Sequence, residues 1–203
     1  YSVANSCRFD GSSSYMTLTP GSAGSQKKVT FSTWFKRGKI AGGGGGEEFI
    51  MYARPASNTD TRLYFTGDGD ANDDRLYFQS TTDNTTHTAL STNRKFRDPS
   101  AWYHVVISVD TTVSSPGSSN IRMFINGVQE TSFATATYGA QNKLFYWTDD
   151  ALHTIGRRSD GTSNYYSGNL AETVLIDGTA YAASDFGEFD EDSPTIWKPK
   201  DVS

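Results

Sequence analysis

Short apolar or alternating stretches recur along the chain, and residues typical of turns separate them. Many short strands at close spacing are typical of an all-β sandwich or barrel rather than of βαβ units. Only Ala182–Phe186 has the pattern of a helical turn. The predicted strands lie at Arg8–Phe9, Tyr15–Leu18, Val29–Lys36, Phe49–Ala53, Leu63–Phe65, Leu76–Gln79, Thr86–Leu90, Trp102–Asp110, Ile121–Asn126, Val128–Ser132, His153–Gly156 and Gly168–Ile176.

Two local patterns indicate how neighbouring strands pair. Asn126-Gly127 lies between apolar runs, and this dipeptide supplies the two positive φ angles of a type I′ hairpin turn. The sequence Arg62–Phe65 is repeated at Arg75–Phe78, which predicts a second hairpin of equivalent strands with an acidic loop. Alternation within Trp102–Asp110 gives this strand one fully apolar face, from Tyr103 to Val109, and one mixed face.

Composition explains how such a chain forms a core. The chain has 203 residues and few aliphatic residues, but Trp, Tyr and Phe make up 13% of it. Serine and threonine number 24 each, a balance that disfavours helices and favours strands and turns. We expect residues 1–203 to form a single domain, with 190–203 as an extended C-terminal tail.

Charge and cysteine content exclude several classes of function. The sequence pI is about 5.1 and there is no basic cluster, which argues against nucleic-acid binding. No apolar run approaches the ~20 residues of a membrane span, so no membrane insertion is expected. The single cysteine, Cys7, excludes an intramolecular disulfide and a cysteine-based zinc site.

Several segments, in this order, resemble the laminin-G-like branch of the concanavalin A-like lectin/glucanase superfamily. The resemblance implies two antiparallel sheets stacked as a jelly roll. The end of the chain is further similar to modules of marine bacteriophage structural proteins, through Phe186-Gly187-Glu188 and Trp197–Lys200. The segments that carry the family resemblance are Phe9–Gly11, Phe31–Phe35, Trp102–Val106 with Asp110, Met123–Gly127, His153–Arg157 and Tyr166–Glu172.

Catalysis is not expected. Glucanases of this superfamily use paired carboxylates on one strand, and glycoside hydrolysis needs two of them at a fixed separation. The one dense acidic stretch places Glu188, Asp190 and Asp192 at alternating positions, but Asp192 replaces the Glu of the glucanase pattern. The stretch also precedes Pro194 without a β-run around it, so a solvated acidic loop is the simpler interpretation. A glycoside hydrolase stays open as a lesser alternative.

Calcium is the one cofactor that the sequence suggests, because hard cations prefer clustered oxygen ligands. One candidate set lies in the acidic loop and consists of Asp68, Asp70, Asn72 and Asp73, with a solvated hairpin turn as the alternative. The resemblance implies a second set, since laminin-G-like modules often hold calcium at a sheet edge. Asp10 and Glu172 occupy the matching places, although Ala171 stands where many relatives carry Asp.

Sugar binding needs aromatic rings beside amide, carboxylate or guanidinium groups, and loop aromatics are where binding often concentrates. Two loop segments, 138–150 and 157–166, combine these residue types. The alternative is that Trp147 and Tyr166 cap the core. The candidate sugar-binding residues are Asn142, Tyr146, Trp147, Asp149, Arg158, Asn164, Tyr165 and Tyr166.

We therefore predict a non-catalytic carbohydrate-binding or adhesion module, displayed outside the cell or on a virion surface. Its partner would be a glycan or cell-surface polysaccharide, with other virion proteins as further partners. The alternative is a capsid or tail protein that makes protein contacts without binding sugar. That alternative requires a flat apolar patch rather than an aromatic cleft.

Overall fold

A computed structural model describes residues 3–40, 46–67, 69, 72–161 and 163–201 of the chain. In these residues the regular structure is β-strand apart from two short 3-10 turns, η1 (Tyr146–Thr148) and η2 (Ala183–Asp185). The strands are β1 (Cys7–Asp10), β2 (Met16–Leu18), β3 (Lys28–Arg37), β4 (Glu48–Ala56), β5 (Thr59–Phe65), β6 (Arg75–Thr82), β7 (Thr85–Lys95), β8 (Tyr103–Asp110), β9 (Ile121–Ile125), β10 (Val128–Gln129), β11 (Phe133–Thr137), β12 (His153–Ile155), β13 (Ser167–Asp177), β14 (Gly187–Phe189) and β15 (Trp197–Pro199).

The strands form two stacked antiparallel sheets, which confirms the predicted all-β sandwich. The six-stranded sheet has the order β1-β13-β3-β8-β9-β10, and the seven-stranded sheet has the order β11-β7-β6-β5-β4-β12-β2. Strands β14 and β15 pair only with each other. Consecutive strands β4 to β7 are neighbours through short turns, whereas β3 lies between β13 and β8, so long connections cross between the sheets.

Both predicted hairpins are present. Asn126 and Gly127 have φ angles of 49° and 79°, and they join β9 to β10. The repeated sequence forms β5 and β6, in which Tyr64 lies directly opposite Tyr77. The predicted strand over Val128–Ser132 ends earlier, at Gln129. The Glu130 carboxylate accepts hydrogen bonds from the Thr131 and Ser132 backbone amides and turns the chain there.

The core between the sheets is built largely from aromatic rings. The predicted apolar face of β8 points into it, and Val105, Ile107 and Val109 are all fully buried there. Phe35 of the six-stranded sheet packs edge-on against Phe65 of the seven-stranded sheet, with ring centroids 5.3 Å apart. These contacts explain how a chain with few aliphatic residues still buries a continuous core.

The outer face of the six-stranded sheet is covered by the end of the chain. Ala183, Phe186 and Trp197 pack there against Val106 and Phe124. The segment from residue 190 onward, predicted to extend as a tail, therefore returns to the sandwich as far as Pro199, where β15 pairs with β14. The physical reason is the indole of Trp197, which finds apolar partners on the mixed face of β8.

His104 joins this cover to the sheet through two hydrogen bonds. Its Nδ1 accepts from Trp197 Nε1 at 3.0 Å, so its Nε2 carries the proton and donates to Ser32 Oγ at 2.8 Å. This arrangement requires the neutral imidazole, because an imidazolium has no acceptor nitrogen. Burial lowers the pKa of His104 from 6.5 to about 3, and burial likewise lowers the pKa of His87 to about 4.

We predict that acid destabilises the protein through these two histidines. The unfolded chain binds protons near the ordinary histidine pKa of 6.5, whereas the folded state resists protonation until the pH nears the lowered values. Stability should therefore fall as the pH drops below about 6.5, by about 2 kcal/mol per histidine between about pH 7.5 and about pH 5. Denaturant unfolding across this range measures the loss. His104→Gln should remove its share, and an unchanged pH profile in this variant would contradict the assignment.

A buried charge cluster ties the two sheets together at one end. Arg37 of β3 is 1% exposed and contacts two carboxylates, Glu48 at 2.5 Å and Asp74 at 2.7 Å. Its guanidinium also lies 4.3 Å from the centroid of the Phe65 ring. Glu48 Oε1 accepts a hydrogen bond from the Ser167 backbone amide of β13, so each sheet contributes partners to the cluster.

We expect Arg37→Ala to lower the free energy of unfolding by about 3–5 kcal/mol, because it removes the ion-pair partner of the buried Glu48 and leaves the buried Asp74 paired only with the half-exposed Arg97. Arg97→Ala is the matched control, since Arg97 pairs with the same Asp74 at 2.8 Å but its side chain is 52% exposed. That change should cost about 0–1 kcal/mol. Chemical denaturation of both variants measures the difference, and similar losses would show that burial of Arg37 is not the deciding factor.

Within the described residues, no helix is long and apolar enough to cross a membrane.

Candidate functional site

Three predicted sugar-binding aromatics lie in the core instead of on a loop surface. Trp147 is fully buried, with its ring 5.3 Å from Phe31 and 5.2 Å from Phe78, and its Nε1 donates to the Thr61 carbonyl oxygen. Tyr146 is 5% exposed and Tyr166 is fully buried. None of the three offers a free ring face to a ligand, because the sandwich needs their apolar area for its own core.

The hydroxyl groups of the two buried tyrosines are also used internally. Tyr146 Oη lies 2.8 Å from Thr82 Oγ1, and Tyr166 Oη donates to the Lys36 carbonyl oxygen at 2.9 Å. Buried tyrosine hydroxyls usually find such partners. Burial, with Glu48 as a second cause, raises the pKa of Tyr166. The prediction that these side chains form a binding rim is therefore corrected.

The other two candidates in segment 138–150 serve local turns. Asn142 is exposed and has a φ angle of 62°, and its backbone amide donates to the Thr111 carbonyl oxygen. Asp149 is 8% exposed, and its Oδ1 accepts from the Asp150 backbone amide. Asp149 is thus used by a local turn, and Tyr146 and Trp147 are in the core, so this segment does not bring aromatic rings and polar groups together at the surface as predicted.

Segment 157–166 behaves differently, because Arg158 reaches the outer face of the seven-stranded sheet. Its guanidinium pairs with Asp160 at 2.6 Å and hydrogen-bonds the Tyr52 hydroxyl. Asp160 is also held by Arg54 of β4. This ion-paired loop therefore flanks strand β4.

Asn164 and Tyr165 anchor the same loop. Asn164 has a φ angle of 63°, and its carbonyl oxygen accepts from the Phe49 backbone amide at 3.4 Å. The Tyr165 ring lies 6.3 Å from the Tyr15 ring, and the Arg157 guanidinium lies 3.7 Å from the centroid of Tyr15. These two predicted residues shape the side of the site but do not form its floor.

The floor is a row of aromatic side chains on the outer face of the seven-stranded sheet, which we call the aromatic face. It consists of Phe49, Tyr52, Tyr64 and Tyr77, a cluster separate from the main core. Phe49 stacks on Tyr64 with centroids 4.9 Å apart, and Tyr64 stacks on Tyr77 at 5.3 Å. Phe49, Tyr52 and Tyr64 are buried, whereas Tyr77 is half-buried and presents the accessible end of the row.

Polar side chains at alternate positions of β5 and β6 lie beside these rings. Arg62 Nη2 donates to Gln79 Oε1 at 2.8 Å, and the Arg62 guanidinium lies 5.4 Å from the Tyr64 centroid. Asp60 Oδ2 lies 3.5 Å from the Tyr52 hydroxyl, and Asp60 Oδ1 forms an ion pair with Arg62 Nε at 3.6 Å without a closer hydrogen bond. A ligand hydroxyl can donate a shorter hydrogen bond to this oxygen.

Burial dominates the electrostatics of this face. It raises the pKa of Asp60, against the opposing effect of Arg62, Arg158 and Arg54. It also raises the pKa of Tyr52 to about 12, with the charges of Asp60 and Asp160 as further causes. The face therefore combines the acidic group of Asp60 with guanidinium donors, an amide and phenol hydroxyls.

Sequence reasoning missed the aromatic face although its signal was present. In the repeated sequence, Arg62 and Tyr64 alternate with Leu63 and Phe65, so one pair must face outward when the other faces the core. What the pattern lacks is the register between strands. That register places Tyr77 opposite Tyr64 and Tyr64 opposite Phe49.

The predicted calcium set at Asp10 and Glu172 does not come together. Asp10 lies opposite Ser167 in the β1–β13 pairing, and Glu172 lies five positions further along β13, which corresponds to about 16 Å. The Asp10 carboxylate accepts hydrogen bonds from the backbone amides of Ser12, Ser13 and Ser14. These and the Ser13 hydroxyl lower the pKa of Asp10, so the carboxylate closes a turn and these two residues do not fit a shared ion.

In the calcium set predicted in the acidic loop, Asp68 and Asp70 lie outside the described residues. Asn72 is exposed and its carbonyl oxygen accepts from Thr66 Oγ1 at 2.5 Å, while Asp73 is buried and accepts from the Gly69 backbone amide. In the part of the chain that the structure describes, no three His, Cys, Asp or Glu side chains are grouped as metal ligands. Calcium at this loop stays a prediction.

The acidic stretch near the C-terminus forms the β14–β15 hairpin. Glu188 and Asp190 share one partner, Lys198, at 3.7 Å and 3.4 Å. Asp190 also accepts from the backbone amides of Asp192 and Ser193 and so closes the turn. Both carboxylates are thereby ion-paired with the same lysine and used structurally, which fits a solvated hairpin better than an acid and a nucleophile.

Comparison with solved structures finds the same fold in proteins of low sequence identity. Domain 4 of an arabinanase from Geobacillus stearothermophilus, in complex with arabinotriose, is 15% identical, with a TM-score of 0.56 over 87% of this chain and 72% of that one. The carbohydrate-binding module of a Ruminococcus gnavus sialidase is 11% identical, with a TM-score of 0.54 over 85% and 92%. Domains LG4-5 of the mouse laminin alpha1 chain are 13% identical, with a TM-score of 0.54 over 86% and 42%.

No match is found among curated protein sequences. A family model, by contrast, matches most of the chain. The model is a laminin G model of the concanavalin A-like lectin/glucanases superfamily, and its match covers residues 10–183. This range contains the strands of both sheets, apart from the first three residues of β1. The chain therefore belongs to the concanavalin A-like lectin/glucanases superfamily.

Proposed function

We propose that this protein is a non-catalytic carbohydrate-binding module, and that its glycan binds on the aromatic face. The observation that carries the proposal is the row of stacked rings that ends in the half-buried Tyr77, on the same sheet face as the ion pair of Arg62 and Asp60. An adhesion role outside the cell or on a virion surface follows from such binding. Of these two locations, the virion surface is the one supported by the similarity of the chain end to bacteriophage structural modules.

The chemistry of the face suits a sugar in two ways. The face of an aromatic ring carries negative charge density, which attracts the weakly positive C–H groups on one side of a sugar ring. Hydroxyl groups at the edge of that sugar can donate to Asp60 and accept from Arg62 or Arg158. Gln79 already orients Arg62, so part of the donor set is fixed before a ligand arrives.

The names of the structural neighbours support this proposal. The arabinanase domain was solved in complex with arabinotriose, and the sialidase carbohydrate-binding module was also solved bound to sialyllactose. At 15% and 14% identity, these neighbours share the fold with this chain. The sugar class for this chain is set by its own residues, and they include both guanidinium and carboxylate groups.

We expect Tyr77→Ala to weaken glycan binding about tenfold or more, because it removes the accessible ring of the row. Asp60→Asn should also weaken binding, since it replaces a charged acceptor with a neutral amide. A glycan array identifies the ligand for the unaltered protein, and isothermal titration calorimetry with that ligand then measures both variants.

Tyr181→Ala is the matched control, because Tyr181 is 38% exposed and packs on Phe186, away from the seven-stranded sheet. This variant should bind as the unaltered protein does. Thermal unfolding of each variant separates loss of binding from loss of folding. Absence of any glycan ligand on the array, or equal effects of Tyr77→Ala and Tyr181→Ala, would contradict the proposal.

One observation favours a second candidate function, that of a virion structural protein that makes protein contacts. Strand β2 ends the seven-stranded sheet and exposes Met16 and Leu18, which are 46% and 66% exposed. Beside them an apolar cavity of about 290 Å³ opens toward Leu175 and reaches the core residue Phe31. An exposed apolar strand at a sheet edge is a common site of association between chains.

If this edge mediates association, the protein should form dimers or larger assemblies that Leu18→Lys disrupts. Light scattering coupled to size-exclusion chromatography measures the mass of both proteins over a range of concentrations. A charge at this position opposes both edge pairing and apolar contact. A monomeric unaltered protein at all concentrations would argue against self-association through β2.

A further inference from the structure

A second aromatic site lies on the other sheet, far in sequence from the residues of the aromatic face. It is a cleft of about 360 Å³ between Trp34 of β3 and Trp102, which precedes β8, and we call it the tryptophan cleft. The segment 3–6 forms one wall, and Pro199 of β15 contributes to another. Cleft volumes of about 300–1000 Å³ are typical of small-ligand sites.

The floor of the cleft is open because of one small residue. In the sheet, Trp34 has His104 as its neighbour on one side and Ala171 on the other. His104 stacks on one face of the Trp34 indole, with centroids 4.9 Å apart, but does not line the cleft. Ala171 does line it, and its methyl group leaves the space beside the indole unfilled.

The two indoles differ in how they are held. Trp34 is 8% exposed, and its Nε1 has no hydrogen-bond partner among the described residues. Trp102 is 38% exposed and has no place in the core. A large aromatic side chain at this exposure beside a cleft is a usual anchor for a ligand.

The remaining lining combines four apolar residues with two polar ones, Asn5 and Ser6, and carries no charge in the part of the chain that the structure describes. Asn5 supplies an amide, and Ser6 supplies a hydroxyl that accepts from Asn169 Nδ2 at 3.2 Å. An amide and a hydroxyl beside two indoles suit a ring with apolar faces and hydroxyl edges. A charged ligand would find no counter-ion among these lining groups, in contrast to the aromatic face with its arginines.

We propose that the tryptophan cleft is a second binding site, and that it takes one ring of a neutral hexose-containing oligosaccharide. The sugar stacks on Trp102 and reaches Asn5 and Ser6 with its hydroxyl groups. The proposal goes beyond glycan binding on the aromatic face, because the two sites lie on different sheets and use different chemistry. Two sites on one domain would let it hold a branched or repeating polysaccharide at two points, which raises the overall avidity.

The test uses the full chain carrying Tyr77→Ala, so that the aromatic face is weakened. Maltotriose, cellotriose and mannotriose are the probes, each added to protein labelled with ¹⁵N. We expect at least one of them to shift the indole N–H signals of Trp34 and Trp102 in a saturable way. Adding Trp102→Ala should weaken that binding about tenfold or more in calorimetry.

Two further variants separate the cleft from general effects. Ala171→Leu keeps both indoles but fills the floor, and it should abolish the shifts of the Trp34 signal on addition of the sugar. Tyr181→Ala removes an exposed ring outside the cleft and should change nothing. Thermal unfolding shows whether each variant is folded. If Ala171→Leu does not fold, the effect of Trp102→Ala on sugar binding is the test of the cleft.

The outcomes also distinguish this proposal from the proposed function. If Tyr77→Ala removes all glycan binding and no trisaccharide shifts the indole signals, the cleft proposal fails while the aromatic face stands. If Trp102→Ala removes glycan binding and Tyr77→Ala does not, the proposal for the aromatic face fails while the tryptophan cleft stands. Shifts of the indole signals with a proline-rich peptide but with none of the sugars would overturn the cleft as a sugar site.

Discussion

The buried guanidinium of Arg37 is the constraint on which much of this sandwich depends. A charge taken out of water must find counter-charges, and Arg37 finds Glu48 and Asp74, both from the segments that lead into the opposite sheet. Asp74 adopts a φ angle of 66° to reach it, a backbone conformation that residues other than glycine and asparagine seldom adopt. The two sheets are therefore fixed relative to each other at the ends of β3 and β4 and at the start of β6.

This anchoring bears directly on the proposed function. Strands β4, β5 and β6 carry the aromatic face, and their rings stack only if the strands keep one register. Glu48 begins β4 and Arg75, next to Asp74, begins β6, so the charge cluster holds both strands at the same end. Phe49 directly follows Glu48, Tyr77 lies two residues after Arg75, and Tyr64 lies opposite both of them on β5.

The outer faces of the two sheets differ in what covers them. On the six-stranded sheet, Trp197 and Phe186 cover most of the mixed face of β8 and leave the tryptophan cleft at its side. On the seven-stranded sheet, the outer aromatic residues pack on one another and on Arg62, and the Tyr52 hydroxyl also contacts Asp60 and Arg158. One sheet thus gains stability from the end of the chain, while the other leaves the half-buried Tyr77 at the accessible end of its aromatic row.

The sequence by itself determined the fold class, the positions of most strands and both hairpins. These depend on alternation along a strand and on the turn chemistry of pairs such as Asn126-Gly127, which are local properties. The sequence also contains, in order, the motifs that indicated the family. The strand Phe133–Thr137 escaped prediction because its small residues give a weak alternation, and it forms only as the partner of β7.

Only the tertiary structure decided which aromatic residues are buried and which are available to a ligand. Trp147 and Tyr77 both have apolar and polar neighbours in the sequence, yet Trp147 fills the core and Tyr77 ends the aromatic face. The difference comes from contacts between residues far apart in the chain, such as the bond from Trp147 to Thr61. Local patterns specify which way a side chain points from its strand, but the packing of the two sheets determines what that side chain meets.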